Sequence, residues 1–403
     1  YTGEDNMNSN TKKLKKGKSK KKFKRKKKLN SVNPYILYSV LALVAIGIIM
    51  VFSASYYDAL YKHKDVFYFL KKELTWAPVG LVALVVMMLI DYHAWKKITI
   101  FGYGATILAL VAVLIVGKNI NGATRWLDIA GISFQPSELA KYVIVFFLAM
   151  MIDRYGKVSK NWKVPLIYLS SALIFAGLVY KENNLSIASI IMFVAFIMIF
   201  VSGMSFKETF SLIIIGAVGI IVGIFSSDYR TERFVSFLDP WKYANDEGYQ
   251  LIHSLYALGS GGLFGVGLGN SKQKALYMPE PHNDFIFAII GEELGLIGCI
   301  AVITIFVVLI WAGIKVAGKA KDRYGKLLAT GIISVIALQA LINIAVVTGS
   351  MPVTGVPLPF ISYGGTSLVF NMAAMGVLLN ISRQCKNTKD EIEEKIIKSK
   401  MNV

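Results

Sequence analysis

The feature that most constrains this chain is a repeated apolar window long enough to cross a bilayer. Such windows fall at 34–53, 74–90, 98–117, 137–152, 164–180, 184–202, 208–225, 284–312, 328–348 and 365–381. A soluble protein buries apolar runs of ~10 to 14 residues, whereas a helix needs about 20 residues to span ~30 Å of hydrocarbon. Ten windows separated by short charged loops therefore predict an all-α, polytopic integral membrane protein with about ten transmembrane helices. The fourth window is short, and the pair flanking Lys181 to Asn184 also reads as one broken segment. Composition agrees, since 55% of the 403 residues are hydrophobic and only 17% are charged, against roughly a quarter charged in an ordinary soluble domain.

Charge fixes the expected orientation. Twelve lysines and Arg25 lie between Lys12 and Lys28, and carry much of the formal charge of +19. A tail of this kind is disordered, solvated and cytoplasmic, where it also meets anionic membrane lipids. No folded or aromatic-interleaved basic module accompanies it, which argues against nucleic acid as a partner. With the N-terminus inside, the cytoplasmic loops carry Lys96 and Lys97, then Arg154, Lys157, Lys160 and Lys163, then Lys315, Lys319, Lys321, Arg323 and Lys326. Lys62, Lys64, Lys71 and Lys72 fall in an external loop, against this trend. An even number of spans puts both termini in the cytoplasm and leaves one large extracellular loop, 226–283, between helices 7 and 8. The chain thus divides into a basic cytoplasmic tail (1–33), a ten-helix domain (34–383) containing that loop, and a second cytoplasmic tail (384–403). Cys299 and Cys385 fit neither a metal cluster nor a disulfide.

Ionisable residues inside apolar windows need either a function or a partner. In the stretch YMPEPHNDFIFAIIGEELGLIG (277–298), a loop with Pro279, Glu280, Pro281 and His282 runs into Asp284, at the head of an apolar run that then carries Glu292 and Glu293. Glu292 lies eight residues beyond Asp284, about 12 Å along a helix and about 80° around it, so the two can line one cavity without sharing one reacting atom. Glu293 falls nearly opposite and suits a structural pair. Glu138 and Lys141 meet on one helix face, as an ion pair or towards a substrate. The glycines of 259–269 form either a close-packed surface segment or a phosphate-binding backbone. Arg230, Arg233, Lys272 and Lys274 suit a pyrophosphate at a membrane surface, or are simply solvated. Arg125 and Trp126 either hold a lipid headgroup or anchor at the interface. Gln339 and Asn343 should face protein, because unpaired amides in hydrocarbon are costly. The proline- and glycine-rich turn 352–365 is expected to re-enter the bundle as a second wall beside Asp284.

The runs FLDPW (237–241), GYQLIHSLYALGSGGLFGVGLGNSKQK (248–274), YMPEPHNDFIFAIIGEELG (277–295) and PVTGVPLPFISYGGTSL (352–368) closely resemble the SEDS family, the shape, elongation, division and sporulation peptidoglycan glycosyltransferases. The GLGNSKQK form is most similar to the division and sporulation members. NGATRW from Asn121, QPSELAK from Gln135 and NISR from Asn380 extend the resemblance from about 34 to 383. It implies polymerisation of lipid II into glycan strands at the outer face of the cytoplasmic membrane during cell division, with release of undecaprenyl pyrophosphate. It also implies a class B penicillin-binding transpeptidase as partner, together with other divisome membrane proteins, and Asp284 as the essential residue. Two departures stand out: Asn283 replaces a frequent threonine, and the 181–186 run, KENNLS, stands where the family commonly has Pro-Asp-Leu-Gly, leaving Asn184 without an acid.

The chemistry itself is compatible with this assignment. A sugar hydroxyl attacks an anomeric carbon while pyrophosphate leaves, so one carboxylate serves as base and cations stabilise the departing charge. Asp284 supplies the first; Arg233, Lys272, Lys274 or a divalent ion supplies the second. Glu280 and His282 support the position or protonation of Asp284, or are solvated turn residues. Too few acids cluster for a tightly built metal site, so a weakly bound Mg²⁺ or Mn²⁺, carried by substrate phosphates and touching Asp284, is expected. A lipid II flippase or a noncatalytic divisome scaffold are the alternatives, although no inverted repeat favours a transporter.

Overall fold

A computed structural model describes residues 31–385 apart from 121–122, 130, 157–162 and 276. The expectations for the basic N-terminal tail and for the residues after Cys385 lie outside the described residues. Each of the ten windows contains a helix: α1 (Pro34–His63), α2 (Tyr68–Leu89), α3 (Trp95–Val116), α4 (Pro136–Tyr155), α5 (Lys163–Lys181), α6 (Leu185–Val201) and α7 (Phe206–Phe225), then α10 (Ile286–Lys319), α11 (Arg323–Val347) and α12 (Gly365–Arg383). Two further helices, α8 (Asp228–Leu238) and α9 (Tyr249–Gly261), occupy the long connection between α7 and α10. The pair around Lys181 to Asn184 is thus two helices.

Among the described residues, eight helices are long and apolar enough to cross a membrane. The 17-residue α6 is apolar but shorter, and α4 carries Glu138, Lys141, Asp153 and Arg154. The molecule is a multi-pass membrane protein. Between α3 and α4 the helical chain is interrupted by a small antiparallel sheet, β1 (Lys118–Ile120), β2 (Ala123–Ile129) and β3 (Ile132–Phe134), in the order β1-β2-β3. The sheet belongs where the sequence suggested only a loop.

Packing follows the cost of burying polar groups in lipid. α7 buries only Gly223 and turns its apolar side chains outward, whereas α4, α11 and α12 bury most of theirs. Small residues let the central helices approach closely. Gly331 on α11 faces Val145 of α4 and Met198 of α6, and Gly376 on α12 lies against the Leu84 carbonyl of α2.

α10 breaks at Gly295, which has φ 68° and ψ −167°. A broken transmembrane helix frees backbone groups that need partners inside the protein. The glycine-rich segment after α9 supplies them. Val266 N donates to Glu292 O at 2.9 Å and Gly267 N to Glu293 O at 3.0 Å, while Leu296 N donates to Gly262 O at 2.9 Å and Ile297 N to Leu263 O at 3.2 Å. The approach is so tight that a Cβ on Gly265 would lie 2.1 Å from the Glu293 carbonyl. These glycines therefore close-pack against the kink, the structural one of their two expected roles.

Candidate active site around Asp284

Asp284 ends the loop that leads into α10, two residues before the first helical residue. The loop is pinned from both sides. Asn343 of α11 donates through Nδ2 to Asp284 O at 2.7 Å and to Val356 O at 2.8 Å, and Tyr363 N donates to His282 O at 3.0 Å. One amide thus ties the Asp284 loop to the 352–365 turn, which forms the wall expected of it. Gly355, at φ 69°, is a point of close approach on that wall: a Cβ there would sit 3.3 Å from Asp284 Oδ2.

Two arginines bear on the carboxylate. Arg233 of α8 bonds Glu247 Oε2 at 3.2 Å and Val353 O at 3.4 Å. Arg125 of β2 donates to Glu182 O at 3.3 Å and Asn183 O at 2.6 Å. Burial pushes the half-buried Asp284 up to about 6, with Glu280 adding to the rise and Arg233 and Arg125 opposing it. Among the described residues, no hydrogen-bond donor engages the Asp284 carboxylate. A base with a lifted pKa and no competing donor is ready to take a proton from an incoming hydroxyl.

The turn between α5 and α6 closes the other side. Ser186 Oγ donates to Thr354 O at 3.0 Å, and Asn184 Oδ1 caps α6 by accepting from Ile187 N at 3.3 Å. Asn caps as well as Asp, so the missing family acid leaves this helix start intact. Glu182, beside it, is fully buried, and burial lifts its carboxyl to about 8, with Ser137 and Arg125 opposing.

The remaining sequence candidates divide by location. Glu138 and Lys141 form a buried ion pair at 2.8 Å, joined by Ser367 Oγ at 2.5 Å from Glu138 Oε2. His282 is buried against Phe69 and Tyr363, with Nδ1 3.8 Å from Asp58 Oδ2. Burial, aided by the Lys62 charge, pushes its imidazole down to about 3, so it is a neutral packing element behind Asp284. Glu280 is exposed and accepts from Asn283 Nδ2 at 2.8 Å. Gln339 and Asn343 are both buried, facing protein as expected.

Three expectations need correction. Lys274 is buried and bonds Glu293 Oε1 at 2.6 Å and Ser53 Oγ at 2.9 Å, so its charge is already neutralised within the protein. Glu292 does not line the recess with Asp284; it holds the 271–273 backbone, accepting from Ser271 Oγ at 2.5 Å, Lys272 N at 2.9 Å and Gln273 N at 3.3 Å. Lys272 instead lines a separate open groove of about 370 Å³ with Tyr57, Asn270 and Tyr277. Sequence reasoning did not single out Ser53, Asp58 or the acid of Glu182, because each acquires its meaning from a segment far away in the chain.

A family model for cell cycle proteins of the FtsW, RodA and SpoVE type matches residues 34–387. The chain belongs to the FtsW/RodA/SpoVE family. It is 42% identical over 346 residues to stage V sporulation protein E of Bacillus subtilis, covering 85% of this chain and 94% of that protein. It is 38% identical over 363 residues to a probable peptidoglycan glycosyltransferase FtsW of Coxiella burnetii, covering 89% and 98%. The fold matches a chain of a solved peptidoglycan synthase complex with a TM-score of 0.74 at 24% identity, covering 88% of this chain and 98% of that one. It also matches the rod shape determining protein RodA of Thermus thermophilus with a TM-score of 0.66 at 24% identity, covering 89% and 98%.

Within this family member, the donor set around Asp284 bears on the expected divalent ion. Among the described residues no three His, Cys, Asp or Glu side chains converge on a metal-sized site. The single carboxylate of Asp284, which no described donor engages, fits an ion held chiefly by a substrate's own phosphates.

Proposed function

We propose that this chain is a peptidoglycan glycosyltransferase that polymerises lipid II into glycan strands and releases undecaprenyl pyrophosphate. The observation that carries this reading is the Asp284 carboxylate, unengaged by any described donor, facing Gly355 and set in the field of Arg233 and Arg125. The Asp284 end of the bundle faces the outside of the cytoplasmic membrane, with both termini in the cytoplasm.

In the reaction Asp284 takes the proton of the acceptor sugar hydroxyl as its oxygen attacks the anomeric carbon. Arg233 and Arg125 offset the charge that develops on the departing pyrophosphate. A bound Mg²⁺ or Mn²⁺, held by the phosphates and Asp284, would lend further charge to that leaving group. Glu138 and Lys141 brace α4 against α12 beneath the site, and His282 holds the Asp284 loop by packing. The partner is a class B penicillin-binding transpeptidase within the divisome, and product strands pass to it for crosslinking.

The test is polymer formation by the purified protein with its partner and lipid II. Asp284→Asn keeps side-chain size and removes the base, so turnover falls about 10²- to 10⁴-fold while the fold is retained. Polymerisation within threefold of the parent protein would refute the role of Asp284. Relocation of lipid II across vesicles without any polymer would point to a flippase instead.

A further inference from the structure

The open groove beside Lys272 has no part in the reaction above. Its walls come from two distant parts of the chain: Tyr57 from the last turns of α1, and Asn270, Ser271, Lys272 and Tyr277 from the loop that leads to Asp284. Its volume of about 370 Å³ lies in the range of small-ligand sites. Seven residues separate Tyr277 from Asp284, and such a length of chain spans at most about 25 Å when fully extended. The groove and the base are therefore neighbours on one face of the molecule, a few sugar rings apart.

The loop wall is pinned from behind. Buried Glu292 accepts from Ser271 Oγ, Lys272 N and Gln273 N, and Ser271 N donates to Glu293, whose charge is met by Lys274. Lys272 is thus fixed through its backbone while its side chain stays exposed. Tyr277 is 54% exposed, and its ring is backed by that of His253 at 6.0 Å, which pairs in turn with Gln273 Oε1 at 2.7 Å. Asn270 Nδ2 donates to Val266 O at 3.2 Å, so the amide presents Oδ1 as an acceptor. Tyr61, one turn beyond Tyr57 on the same face of α1 and 65% exposed, extends the aromatic wall. A wall held in place before a ligand arrives loses little freedom on binding.

We propose that this groove holds the growing glycan strand, with sugar rings against Tyr57 and Tyr277 and a carboxylate of a peptide side chain on Lys272. The inference rests on the glycosyltransferase reading above. Tyrosine offers a flat apolar face with a polar tip, which suits the apolar face and hydroxyl rim of a sugar. An exposed ammonium beside two such rings adds a charge-assisted contact to a carboxylate, and Asn270 Oδ1 accepts from a sugar hydroxyl or amide. A strand tethered here keeps its end at a high effective concentration near Asp284. Successive additions to one strand then outpace its escape, and the groove governs strand length.

The experiment uses the full chain with its transpeptidase partner, the latter blocked by a β-lactam so that strands stay uncrosslinked. Strand length is compared at equal consumption of lipid II for the parent protein, Lys272→Glu, Lys272→Arg and Tyr277→Ala. Both changed side chains are exposed, so the fold is retained. Lys272→Glu and Tyr277→Ala should shorten the strands about threefold or more, and Lys272→Arg should restore them. Titration of the same proteins with short lipid-free glycan strands gives a reading independent of turnover. Lys272→Glu should weaken binding about 10-fold for strands that carry their peptides and leave peptide-free strands unaffected, whereas Tyr277→Ala should weaken both. Parental strand length in Lys272→Glu and Tyr277→Ala, or equal binding of the strands by parent and variants, overturns the proposal while leaving Asp284 untouched. Weakened affinity for lipid II in vesicles with unchanged strand binding also overturns it, assigning the groove to the lipid-linked headgroup. Absence of polymer from the parent protein would instead overturn the glycosyltransferase reading, and the proposal with it.

Discussion

Lys274 offers a sharp test of how this fold treats charge. The residue sits in a cation-rich loop and invites a role in phosphate binding, yet its Nζ lies 2.6 Å from Glu293 Oε1 and 2.9 Å from Ser53 Oγ, with almost no exposure. At an effective dielectric of about 20, a contact of that length is worth about 6 kcal/mol of attraction. Removing both ions from water costs several kcal/mol each, so the intact pair contributes little net stability. Deleting one member is different, because the other is left buried without a counter-charge, at a cost of about 3 to 5 kcal/mol. Lys274→Met and Glu293→Gln should each lower the thermal midpoint of the detergent-solubilised protein substantially, and the double variant should be far less destabilised than the sum of the two. The measurement is a double-mutant cycle by thermal unfolding, with lipid II titrated against each variant that remains folded. A phosphate-binding lysine would behave in the opposite way. A folded Lys274→Met of parental stability, with KM for lipid II raised and no coupling to Glu293, would refute the assignment of a buried structural pair.

Three further outcomes follow from the same geometry. Because burial lifts Asp284 from 3.8 to about 6, and the base works only when ionised, kcat/KM should fall as pH drops through about 6; a pH profile flat well below that value would contradict this. Gly355→Ala places a methyl 3.3 Å from Asp284 Oδ2 at a backbone φ of 69°, so polymerisation should drop by about 10-fold through displacement of the base, with a stability loss of about 1 to 2 kcal/mol read by thermal unfolding. Excess chelator should remove most activity, and Mg²⁺ or Mn²⁺ should restore it; full activity under chelation would leave the arginines as the sole charge on the leaving group.

The parts of this protein that were legible in its sequence are those decided locally. Apolar length places a helix in each of the ten windows, because the cost of a polar residue in hydrocarbon is felt wherever it falls along the window. The same rule explains where the boundaries moved. α1 runs to His63, well past the end of its window, since its backbone bonds continue unchanged and the charge of buried Asp58 is met by Lys62 one turn on, at 3.4 Å. The sheet from 118 to 134 escaped notice because its strands are three to seven residues long, too short for alternation to stand out between two apolar windows.

Charge partners were a different matter, since they are set by which helix ends meet. The Glu138 and Lys141 pair was visible because three residues separate its members on one helix. Nothing local links Lys274 to Ser53, 221 residues away, and so a buried counter-ion looked like a free cation. The Asp284 site shows the same division. Asp284 could be located from a motif, but the arginine charges that reach it come from β2 and α8 and its wall from the 352–365 turn, segments that approach one another only after the helices between them have packed. Lipid enforces this arrangement. Within the hydrocarbon each helix must satisfy its own backbone, so only the loops and broken ends retain the freedom to converge, and the chemistry collects at the one end of the bundle where these loops meet.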